Sequence, residues 1–306
     1  MAYFVFDLDE TLGNFHTPYY FLVDLRSIAD QTAYQNFVAA VATIEDSGNP
    51  LGIIRPGILA VMRKLKELKD AGIVKSLVIY SNNSHLESLE FARDVIQHVV
   101  EDSTLFSDCI HWSREGREIE HTIPTREGSA NKTWAVLTNL MIHGPTAADA
   151  STLTPDKLYF FDDQVHMLEK KLPEGHTVRM MEYPFKASST RVGHIYKDAV
   201  MEAFKDNEAG LSDFVDNFKT NDSAKYTFLT PKKAFESHTQ FLVARTRGTV
   251  NRTTPVPDPD QSIAKCMELL RKFAAPPPQP PQEGGKRVNH RRTRRRGKKR
   301  HGSRRR

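Results

Sequence analysis

The sequence predicts an α/β chain built on a doubly wound, mainly parallel sheet. Two observations carry that expectation. Apolar runs at residues 3–6, 74–80, 106–112, 157–161 and 177–181 alternate with stretches of helical periodicity. Three of these runs also end abruptly in polar side chains: Asp7 and Asp9, Ser81, and Asp162 with Asp163. Those are the strand ends beyond which an open α/β sheet places its ligands.

The 306 residues give room for one domain of ordinary size plus additions. Hydrophobic residues make up 39%, low enough that part of the length is expected to lie outside a core. Cys109 and Cys266 are too few for a disulfide framework and stand in no metal-binding spacing, which points to a reducing, intracellular setting. No basic leader precedes the first apolar run, so no signal peptide is expected. No apolar stretch is long enough for a membrane span. Thirteen of the 43 Lys and Arg lie from Lys286 onward, where there is no acid; the rest of the chain is left with 30 basic against 38 acidic residues, a net charge of −8. An acidic body and a basic tail are two physical objects.

The first strand, residues 3–6, is aromatic and β-branched, and Thr11 and Gly13 turn the chain after it. Two carboxylates two residues apart beyond a buried strand repel unless a cation neutralises them. Oxygen ligands of this kind suit Mg²⁺ together with a substrate phosphate. Residues 15–50 carry one or two helices ending at the breaker cluster Ser47-Gly48-Asn49-Pro50. They form either a small cap insertion over the site or a helical hairpin on the sheet edge. Arg55-Pro56-Gly57 opens an amphipathic helix that Gly72 closes. After the second strand, Ser84 and Glu87 make a capping box for a helix over residues 85–100. Ser81 stands where a helix N-terminus favours phosphate. Residues 113–131 read as an active-site loop; His111 and His121 complete no zinc spacing and read as ordinary histidines. Lys132 opens the next helix, residues 165–172 read as a short helix, and residues 177–181 as the last strand.

The string DLDETL at residues 7–12 resembles the first motif of the haloacid dehalogenase (HAD) superfamily of aspartate-nucleophile phosphohydrolases. Ser81, Lys132 and the Asp162-Asp163 pair follow in the order of its second, third and fourth motifs, and the resemblance covers residues 1 to about 185. It implies a Rossmann-like, HAD-like core acting on a phosphorylated substrate. Asp7 would be the nucleophile and Asp9 the acid and base, with Ser81 and Lys132 also catalytic. Thr11, Ser81, Asn82 and Lys132 would hold the substrate phosphate. Mg²⁺ would be bound by Asp7, Asp9 through its carbonyl and Asp162, with Asp163 either a ligand through water or an orienting group behind them. The Arg-Pro-Gly turn is similar to that of the RNA polymerase C-terminal-domain phosphatase branch.

Residues 186–275 read as a helical appendage with no assignable chemistry. Residues 276–281 are a polyproline linker, and the tail that follows is disordered by composition. Arg291, Arg292, Arg294, Arg295, Arg296, Lys298, Lys299 and Arg300 suit contact with nucleic-acid phosphates, with nuclear import and a solubilising tail as the rival readings. A phosphatase core with such a tail is similar to viral proteins of large DNA viruses, which makes nuclear or virion association an expectation. The sequence thus reads as a Mg²⁺-dependent phosphomonoesterase acting on a phosphoprotein, a nucleotide or a nucleic-acid end. The alternative is a catalytically silent nucleic-acid-binding or virion-associated protein on the same scaffold.

Overall fold

A computed structural model of the chain describes residues 1–27, 30–113, 131–143, 152–183, 185–222, 229–247 and 261–274. The apolar runs form β1 (Ala2–Phe6), β2 (Val74–Tyr80), β3 (Phe106–Ile110), β4 (Leu158–Asp162) and β5 (Thr177–Arg179). They make one sheet in the order β3-β2-β1-β4-β5, with every neighbouring pair parallel. The chain steps outward from β1 through β2 to β3, then returns to the other side of β1 for β4 and β5. That reversal opens a crevice beyond the ends of β1 and β4.

Successive strand side chains point to opposite faces, and both faces are covered. Phe4 and Phe6 of β1 join the larger core cluster, while Tyr3 and Val5 join a smaller one on the far side. The larger cluster takes in α1 (His16–Arg26), α2 (Thr32–Glu45), α3 (Ile58–Asp70) and α4 (Leu86–Val100). Among the described residues, α5 (Trp134–His143) is the α-helix of the smaller cluster, through Val136, Leu137, Leu140 and Met141.

Residues 15–50 supply α1 and α2. Phe37 of α2 stacks on Phe91 of α4 with ring centroids 5.4 Å apart, and α1 also packs on α4, so this pair of helices lies against α4. The stretch read as an appendage supplies α6 (Ser189–Ala203), α7 (Glu208–Asp222), α8 (Pro231–Arg247) and α9 (Gln261–Ala274). These helices share the larger core: Tyr196, Val200, Phe235, Cys266 and Leu270 are all fully buried. Phe273 of α9 sets its ring edge against Phe4 and Tyr159 of the sheet. One compact unit therefore runs Met1–Ala274, with no division near residue 185. The amphipathic pattern of these helices was legible, but it does not say which surface each apolar face covers. The second unit, Ala275–Arg306, lies outside the described residues, and with it the polyproline linker and all the tail residues named above.

Four local expectations are corrected. The third strand ends at Ile110 and the fifth at Arg179, each two residues early. Residues 165–172 form a 3₁₀ turn, Met167–Lys171, and not an α-helix. The capping box of Ser84 and Glu87 does not form, because α4 begins one residue later and its N-cap is His85. The His85 amide donates instead to Asn83 Oδ1 at 2.8 Å. No helix among the described residues is long and apolar enough to cross a membrane.

Candidate functional site

Asp7 leaves β1 still in register with β4: its amide donates to the Phe161 carbonyl at 2.9 Å. The chain then folds back tightly. Leu12 N–H and Gly13 N–H both reach the Leu8 carbonyl, and Glu10 takes a left-handed φ of 62°. Gly13 is required by close approach, since a Cβ there would lie 2.0 Å from the Ile53 carbonyl oxygen. That same carbonyl accepts the Asn14 amide at 2.8 Å, tying the loop to the segment before α3. The turn sets Asp7 and Asp9 at the mouth of the crevice.

Lys132 sits two residues before α5 with its side chain 1% exposed. Its ammonium donates to Asp7 Oδ1 at 2.5 Å and to Asp162 Oδ2 at 2.6 Å. Asp162 is the last residue of β4, and Asp163 follows it. Ligand oxygens of Asp7, Asp162 and Asp163 all lie within 4.8 Å of one another. Three carboxylates against one lysine leave a net negative, mostly buried cluster that fits a metal ion. Its all-oxygen donor set suits a hard cation.

The electrostatics follow from that imbalance. Burial drives the Asp7 carboxyl well above its ordinary range; Lys132 opposes this, while Asp162 and Asp163 add to it. Burial works the same way on Asp162, but the Lys132 ammonium and the His166 imidazole overcome it and hold that carboxyl at about 2. Asp163 is raised to about 6 by burial and by the Asp162 charge. Burial also raises Asp9, against the hydrogen bond from Asn83. Lys132 is pulled down by burial, yet the two carboxylates more than offset this and its affinity for the proton rises.

The crevice is a cavity of about 260 Å³. Of the residues singled out from the sequence, it gathers Asp7, Asp9, Ser81, Asn82, Lys132, Asp162 and Asp163. Thr11 is not on its wall: the residue is fully buried and its Oγ1 has no hydrogen-bond partner among the described residues. His111 is half-buried and belongs to no metal-capable group among the described residues, and His121 lies outside them.

Four wall residues were not foreseen: Glu10, Asn83, Gln164 and His166. His166 Nδ1 accepts the Lys132 amide at 3.2 Å, so its proton sits on Nε2, which faces Asp162 Oδ2 at 3.3 Å. Asn83 Nδ2 donates to Asp9 Oδ2 at 2.9 Å, and its amide donates to Ser81 Oγ at 3.1 Å. Glu10 is half-buried and raised to about 7 by burial, then by Asp163, Glu182 and Asp9. The one signal for His166 was its place four residues after Asp162; Asn83 read only as a turn residue, and Glu10 as filler between motif positions.

A second cavity, of about 350 Å³, adjoins the first and shares Asp9, Glu10 and Asn83 with it. Its far wall is the start of α1 and the start of α4.

Fold and site together define a parallel α/β protein with a lysine-bridged, metal-capable carboxylate cluster at the C-terminal edge of its sheet. No family model matches the chain, and neither any curated protein nor any solved structure is found to be similar to it.

Proposed function

We propose that the chain is a HAD-like, Mg²⁺-dependent phosphomonoesterase that works through an aspartyl-phosphate on Asp7. One observation carries the reading: Lys132 joins Asp7 to Asp162, from strands far apart in sequence, beside Asp163, Asp9 and Ser81 in one cavity.

Asp7, Asp162 and Asp163 would hold the ion, with the Asp9 carbonyl added by the resemblance. When bound, Mg²⁺ supplies the positive charge that keeps Asp7 ionised and neutralises the phosphoryl oxygens. An Asp7 carboxylate oxygen attacks phosphorus, and the bond to the leaving oxygen breaks. Asp9, raised by burial, carries the proton that the leaving oxygen takes. Asp9 then removes a proton from water, whose oxygen attacks the phosphorus and frees Asp7 and inorganic phosphate. Ser81 and Lys132 hold the phosphoryl oxygens as charge builds on them. Asn83 orients Asp9, and His166 orients Asp162.

Hydrolysis of acetyl phosphate and of an aryl phosphate, with and without Mg²⁺, tests the reading. Wild type should need Mg²⁺, and Asp7→Asn should lose activity by about a thousandfold or more. Mg²⁺ should also raise the melting temperature of wild type and leave Asp162→Ala unmoved. If wild type hydrolyses neither compound and shows no Mg²⁺-linked rise, the proposal falls.

A further inference from the structure

Asp9 delivers its proton to the leaving oxygen, so the body of the substrate must lie on the far side of Asp9 from the carboxylate cluster. The 350 Å³ cavity is there, and its volume is of the order that small-molecule sites offer. Its wall is unusually rich in rings. Tyr19 lies over His85 with centroids 3.9 Å apart. Tyr20 sets its edge to both Tyr19 and His16, at 5.6 and 5.5 Å. The Arg245 guanidinium stands 5.1 Å from the centre of the Tyr20 ring, from α8. Lys186 is the lysine lining the cavity; burial and then the Lys186 charge hold His16 below the ordinary imidazole range, so His16 offers a neutral ring. Asn14 and Ser88 add an amide and a hydroxyl.

On the phosphomonoesterase reading, we infer that this cavity receives the leaving group and that the substrate is a nucleoside phosphomonoester, with its base against the Tyr19–His85 pair. A seryl or threonyl stem would leave the rings unused. A tyrosyl ring would fill part of the space and leave Asn14 and Ser88 without a role. A nucleoside uses all three kinds of group. Its base stacks on the rings, its polar edge and ribose meet the amide and hydroxyl, and Lys186 faces any further phosphate. Aromatic stacking tolerates every base, so the cavity selects for a nucleoside without selecting strongly among bases.

The test compares kcat/KM for adenosine 5′-monophosphate, a 5′-phosphorylated tetranucleotide, phosphotyrosine, glycerol phosphate and acetyl phosphate, using the full chain with Mg²⁺. The nucleoside esters should exceed the other three by about tenfold or more. Their order distinguishes a free nucleotide from a chain end as the source of the same chemistry. Tyr19→Leu should lower the ratio of nucleotide to acetyl phosphate by about tenfold, while Tyr19→Phe keeps it. His85→Leu, at an exposed position, repeats the test without touching the core. Equal rates on all five substrates, a preference for phosphotyrosine, or variants that lower every substrate alike would overturn the inference. Hydrolysis of acetyl phosphate reads the phosphatase proposal separately. If that hydrolysis is absent, calorimetric titration with adenosine 5′-monophosphate still decides. Binding lost in Tyr19→Leu and kept in Tyr19→Phe supports the cavity assignment, and no binding by wild type ends it.

Discussion

Glu45 closes α2 with its side chain turned into the protein, 6% exposed. Its carboxyl accepts the Ile53 amide at 2.9 Å. Burial nonetheless raises it from an ordinary 4.5 to about 7, against the backbone amides that favour its charged form. Between those two values the folded chain holds a proton that the unfolded chain has released. Stability from this group is therefore full below about 4.5 and is lost as pH rises through about 7. Glu45→Gln keeps the shape without the charge. Melting curves should show it more stable than wild type at pH 8, by about 3 kcal/mol at most, and nearly equal at pH 4. Parallel curves across that range would refute the assignment. Glu45 was invisible in the sequence, because a glutamate at a helix end reads as solvated. Asp7, Asp9 and Asp162 were legible for the opposite reason: carboxylates that terminate apolar strands have nowhere cheap to go. Lys132 carried a weaker signal, a lysine at a helix start, and only the fold brings its ammonium to two carboxylates. His166 acts through a backbone amide 34 residues away, which no local pattern encodes.

The helices after β5 were readable as helices and not as core. Their periodicity marks an apolar stripe, whereas the partner of that stripe depends on small residues that allow close approach. Gly193 of α6 is such a residue: a Cβ there would come within 2.4 Å of Val243 Cγ2 on α8. Gly193→Ala gains helix propensity but forces the two helices apart, so it should destabilise by roughly 1–3 kcal/mol. The obstruction is a side chain, so Val243→Ala should recover part of that loss in the double variant. Denaturant melts of the four proteins give the coupling, and additivity would show that the two helices do not meet as described. The same pair carries Arg245 and so bears on the ring-lined cavity as well as on the core. The strands, by contrast, were read to within two residues, since buried parallel strands are continuous apolar runs.

Charge separates the chain into two objects more sharply than sequence length does. The part before residue 286 carries −8, and the 13 basic residues beyond carry no acid among them. If the tail contacts nucleic acid, affinity for duplex DNA should fall linearly in log–log terms with salt, by about 0.9 per phosphate neutralised. A chain ending at residue 274 should show no such binding in a filter or anisotropy assay. Intact chain that fails to bind at low salt would leave import and a solubilising role as the tail's surviving expectations. The order of the strands has a consequence for synthesis. β1 is the earliest strand of the sheet to be made, and it lies in the middle of it. Its pairing with β2 begins at Val74, but its pairing with β4 begins only at Leu158. At about 5–20 residues per second, one apolar edge of β1 stays open on the ribosome for on the order of ten seconds. Nascent chains stalled between those two points should therefore be the forms most in need of a holding chaperone.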